Sequence, residues 1–112
     1  MMSARIEFAT DWLLSRIETS DEQRQRVKAI VQAAVQALGQ IREQHIQNRQ
    51  MLVQALAQPT IDRAVLGDIR HTGLQLADTA SDRIVTALAD VAEVLTPEQR
   101  TKLAEFTSRW QH

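Results

Sequence analysis

Ala57-Gln58-Pro59-Thr60-Ile61-Asp62 interrupts the middle of a chain that otherwise reads as helix. Proline locks its own φ, carries no N–H and pushes the residue before it out of the helical region, so a helix arriving at Ala57 must stop. Thr60 is placed to cap whatever follows, and Asp62 puts an acid where a new helix is electropositive. The runs on either side, roughly 21–57 and 61–94, contain no other proline and only Gly39, Gly67 and Gly73. At 1.5 Å per residue each run makes a helix about 50 Å long. One short turn between them predicts an antiparallel hairpin.

Apolar spacing supports this. In the first run Val27, Val31, Ala34, Leu38 and Ile41 recur at steps of four and three, as in a coiled-coil seam. The same register continues through His45, Asn48, Leu52 and Ala55. In the second run Val65, Ile69, Leu76, Ala80, Ala87, Val91 and Val94 form the facing stripe. The seam is apolar at its ends and polar in its middle.

Two further start signals lie outside the hairpin. Ser20-Asp21-Glu22-Gln23 is a capping box, in which the serine oxygen takes the N–H three residues on and the glutamine reaches back. Thr96-Pro97-Glu98-Gln99 is a second box, with proline at the first helical position. They bound short outer helices at about 4–17 and 97–110, which carry Ile6, Phe8, Trp12, Leu13 and Ile17, and Leu103, Phe106 and Trp110. The expectation is one all-α domain over residues 1–112: four helices, a long antiparallel hairpin with short flanking helices. Two rods cannot cover both of their own faces, so the outer helices or a second copy must, and a homodimer is favoured.

Composition narrows the function. Hydrophobic residues make up 44% of the chain and aromatics 4%, all near the two ends, so the middle packs with aliphatic and alanine side chains. That suits close helices and not sheets. A net charge of −1 and the lack of a basic recognition helix argue against nucleic acid. With no cysteine there is no thiolate metal site or thiol catalysis. No phosphate loop, nucleophile elbow or HExxH is present, and the acids are spread along helix faces, so no enzyme and no cofactor are expected. No apolar run approaches the roughly 20 residues needed to span a bilayer, no helix combines a basic face with a bulky apolar one strongly enough for membrane attachment to be expected, and no signal peptide precedes Arg5.

The two boxes also match each other. Leu95-Thr96-Pro97-Glu98-Gln99 is a full Leu-Thr-x-x-Gln motif. Thr19-Ser20-Asp21-Glu22-Gln23 is a looser first copy, and the hairpin runs between them. In this the chain resembles the Spy/CpxP family of periplasmic proteins over about residues 18–105. The resemblance implies a cradle-like all-helical protein, hooked into a dimer, in the bacterial periplasm. Relatives act as ATP-independent chaperones for unfolded clients or restrain an envelope-stress sensor kinase. A neighbouring branch, resembling CnrX and ZraP, senses or buffers nickel, cobalt or zinc, and heavy-metal sensing or resistance is the alternative function. That branch uses histidine pairs spaced four apart, whereas Ala4 to Ile17 holds no histidine.

Candidate residues follow. Client contact is assigned to Arg42, Ile46, Arg49, Met51 and Leu52, with Arg70 from the third helix, because arginine and flexible apolar side chains together suit varied polypeptides. Ser20, Gln23, Leu95, Thr96 and Gln99 are assigned to structure. His45 and His71 fall within about one helical turn of each other across the hairpin and are weak candidates for a divalent metal. His112 ends the chain. The expected partners are unfolded or sensor proteins.

Overall fold

The computed structural model describes residues 4–109. It contains four helices, α1 (Ala4–Arg16), α2 (Asp21–Leu56), α3 (Arg63–Val94) and α4 (Pro97–Ser108), and no strand among the described residues. The fold is all-α, with two long helices flanked by two short ones. Trp110 and His112, which figured in the sequence reading, lie outside the described residues.

Each boundary has a local cause. Before α2, Ser20 Oγ accepts from Gln23 N at 3.1 Å and Gln23 Oε1 accepts from Ser20 N at 2.9 Å, closing the expected box. Before α4, Thr96 and Gln99 do the same at 3.2 and 2.9 Å. The expected cap at Thr60 is not the one used. Asp62 Oδ1 accepts from Ala64 N at 3.0 Å and Val65 N at 3.3 Å, so α3 begins two residues later than expected. A carboxylate meets two orphan amides at the positive end of the helix, which a hydroxyl does less well.

The chain forms two compact units. The first comprises residues 4–36 and 85–109, and so holds α1, the start of α2, the end of α3 and α4. Its core is Leu14, Ile17, Val27 and Leu95, with Val31, Val91, Val94 and Leu103 packed against it. Ile17 is the most enclosed side chain, 1% exposed. α1 is tied to α2 by Lys28, whose Nζ lies 2.8 Å from Asp11 and 3.9 Å from Glu7. It meets α4 through Trp12 and Phe106, edge to face at 5.3 Å. The outer helices therefore do cover hairpin surface within this unit.

The second unit, Ala37–Ile84, is the closed end of the hairpin. It buries only Asn48 and Ile69. The polar middle of the seam is real: Asn48 Nδ2 donates to the Ile69 carbonyl at 3.0 Å, a side-chain bond across the two helices. His45 departs from the expected register role, because it is exposed and not packed in the seam.

Candidate interaction surface

The two capping boxes are parts of one structure. Gln23 and Gln99 face each other and exchange hydrogen bonds: Gln23 Nε2 donates to Gln99 Oε1 at 2.8 Å, and Gln99 Nε2 donates to Gln23 Oε1 at 3.1 Å. Each amide also reaches the strand of backbone entering the other box. Gln23 Nε2 donates to Val94 O and Gln99 Nε2 to Glu18 O, both at 3.1 Å. Val94 and Glu18 each lie two residues before the capping hydroxyl, so the pattern repeats with approximate two-fold symmetry. Every donor and acceptor of both side-chain amides is engaged, which is the condition for a polar cluster to add specificity instead of cost.

This clasp also explains Glu18. It adopts φ 58°, the left-handed region that a non-glycine residue enters at a cost of about 1–3 kcal/mol. The bend ends α1, with Ile17 N, Thr19 N and Thr19 Oγ1 all donating to the Leu14 carbonyl, and Gln99 holds the Glu18 carbonyl. Leu95, the apolar member of the motif, is 3% exposed in the core. Ser20, Gln23, Leu95, Thr96 and Gln99 thus form one assembly that joins the ends of α1, α2, α3 and α4. Sequence reasoning found the boxes but not the exchange between them. The equal offsets in the two copies were the available signal.

The client-contact residues fall on both sides of the second unit. Arg42 and His45 border a cleft of about 340 Å³ floored by Leu38, Ile41, Gly73, Leu76, Ala77 and Ala80. Arg49 continues that stripe, its Nη2 3.4 Å from His45 Nε2, and Leu52 lies three residues on. Arg70 precedes Gly73 by three on α3 and shares its side of the helix. Arg42, Arg49 and Arg70 make no ion pair among the described residues. Met51 belongs elsewhere, in a cleft of about 500 Å³ with Gln44, Gln47, Asn48, Val65, Asp68, Ile69, Thr72 and Leu76. One side is therefore basic and apolar, and the other carries amides, a hydroxyl and Asp68. Ile46 is exposed.

His45 and His71 are both exposed. Among the described residues, no group of three or more histidines, cysteines or acids is arranged to hold a metal ion. No helix there is long and apolar enough to cross a membrane.

An all-helical chain in which two glutamine capping boxes clasp a hairpin defines a recognisable class of small helical proteins. A family model described as heavy-metal resistance matches residues 5–102, and the chain belongs to that family, which is of the Spy/CpxP/ZraP kind with the Leu-Thr-x-x-Gln motif. Comparison with curated proteins and with solved structures finds no match.

Proposed function

We propose that the chain is a non-enzymatic, protein-binding member of its family: a periplasmic, ATP-independent chaperone or envelope-stress modulator that works as a homodimer. The observation that carries this is the second unit. Ala37–Ile84 encloses only Asn48 and Ile69 and leaves Ile46, Met51, Val53, Leu74 and Ile84 exposed. On one of its sides, apolar surface lies beside arginines that form no ion pair among the described residues. Apolar contact gives such a surface affinity without directionality, and guanidiniums on flexible stems adapt to different acidic partners.

The test is light scattering from a denatured client diluted into buffer without nucleotide. The protein should suppress aggregation of several unrelated clients, and R42Q/R49Q/R70Q should suppress it less. If no client responds, the chaperone reading fails. Binding of one sensor domain alone would then indicate the modulator. Light scattering coupled to gel filtration should give twice the chain mass.

The family match supports a second reading, heavy-metal sensing or resistance. A metal that binds only the folded form raises its melting temperature. A clear rise with nickel, cobalt or zinc, lost in H45A/H71A, would favour this reading. Unshifted melts with all three would remove it.

A further inference from the structure

All three described aromatic residues lie in the first unit, and the packing of α1 against α4 gathers them. Trp12 meets Phe106 edge to face at 5.3 Å. Phe8 sits one turn before Trp12 and is 71% exposed, far more than a packing role needs. Arg16 lies over the Trp12 ring at 5.1 Å. Arg5, three residues before Phe8, falls on the same side of α1, and Arg109, three after Phe106, is the C-cap of α4 and keeps helical backbone angles, φ −66° and ψ −19°. Arg5, Arg16 and Arg109 form no ion pair among the described residues.

The acids of α1 point elsewhere. Glu7 and Asp11 are held by Lys28 of α2, so α1 is split lengthwise into an acidic flank against α2 and an aromatic, basic flank beside α4. Glu105, one turn before Arg109, borders the patch and leaves it net positive. Neither helix alone has a bulky basic face. The pair does.

We infer that this composite face, Arg5, Phe8, Trp12 and Arg16 of α1 with Phe106 of α4 and Arg109 at its C-cap, is a peripheral docking surface for anionic phospholipid. Charge complementarity selects the occupant. Three separated guanidiniums need several anions at no fixed spacing, which a headgroup layer offers and a single acidic side chain does not. Phe8 and Trp12 then lie at the depth where aromatic rings favour the boundary between headgroups and acyl chains. The chain is held on the surface and does not span it, consistent with the fact that no helix among the described residues is long and apolar enough to cross a membrane.

The experiment uses the full chain carrying Trp110→Phe, so that tryptophan emission reports Trp12. It is mixed with vesicles of phosphatidylglycerol and phosphatidylethanolamine, or of phosphatidylcholine alone. The protein should sediment with the anionic vesicles, less so as salt rises, and its emission should shift to the blue. Each arginine near an anionic surface is worth roughly fivefold in partitioning, so R5Q/R16Q should weaken binding about 25-fold. F8A should weaken binding while leaving the helical circular dichroism unchanged, since Phe8 lies outside the core. R42Q/R49Q, in the other unit, should leave vesicle binding unchanged, which separates this surface from client binding. Equal binding to both vesicle types, no binding at low salt, or binding that survives R5Q/R16Q and F8A would overturn the inference. So would capture of an acidic polypeptide by this face with vesicles ignored.

Discussion

Replacing Gln99 by alanine should destabilise the protein well beyond the loss of an ordinary helix cap. Its side chain accepts from Thr96 N and Gln23 Nε2 and donates to Glu18 O and Gln23 Oε1. A net hydrogen bond is worth about 0.5–1.5 kcal/mol, so the two part-buried bonds to Gln23 carry about 2 kcal/mol. The bonds to Thr96 and Glu18 are exposed and water replaces them in part, which brings the expected loss to about 2–3 kcal/mol. For a domain of this size that lowers the melting temperature by about 8–15 °C. Gln23→Ala should behave alike, because its amide occupies the mirror position. Both substitutions remove the same mutual bonds, so the double variant should cost about 2 kcal/mol less than the sum of the singles. Gln99→Glu provides the sharper contrast. A glutamate serves an isolated capping box as well as glutamine does, but here it cannot donate to Glu18 O and sets a carboxylate against Gln23 Oε1. It should be at least as damaging as alanine. Urea unfolding followed by circular dichroism measures all four variants. Single losses that add within about 0.3–0.5 kcal/mol, or a neutral Gln99→Glu, would show that the boxes are independent.

Other substitutions test the remaining elements. Ile17→Ala removes the most enclosed core side chain and should cost about 2–5 kcal/mol in the same urea assay. Asp62→Ala should cost about 1 kcal/mol as the lost cap of α3, while Thr60→Ala should change stability by no more than a few tenths; the reverse order would restore Thr60 as the cap. Gly73→Ala should stabilise by about 0.5–1 kcal/mol, because glycine is a poor interior helix residue. The added Cβ meets only Asn48 Nδ2, at an ordinary 3.5 Å, and a lower melting temperature would mean that the methyl group displaces Asn48 from its bond to Ile69. Glu18→Gly should raise stability by up to about 1 kcal/mol through relief of the left-handed backbone, and the Lys102 contact it removes is exposed and contributes little.

The fold was legible because its determinants are local. A proline, two glutamine boxes and a four–three apolar rhythm are sequence features, and they set helix number, type and ends to within about two residues. The cap of α3 was misplaced because Thr60 and Asp62 are both acceptable caps by type, and the choice depends on where the turn after Pro59 releases the backbone. His45 fits the seam by count but is exposed, since a heptad count gives a residue's angular position and not whether a neighbour covers it. The candidate client residues were legible as a chemical type but not as a surface: Met51 and Arg42 are nine residues apart on one helix and line different clefts.

By itself the sequence determined that this is a four-helix protein with a hairpin between matched boxes, and it pointed to the family that the match over residues 5–102 shows. Helix signals are carried by neighbours in the chain, so they survive without knowledge of the rest. Only the tertiary structure decided that Gln23 and Gln99 grip each other, that Glu18 bends backwards to present its carbonyl, and that aromatics from opposite ends of the chain share one face. Those pairs lie 76 to 94 residues apart. No local propensity links such positions, and their meeting follows from how amphipathic helices bury their apolar stripes against one another.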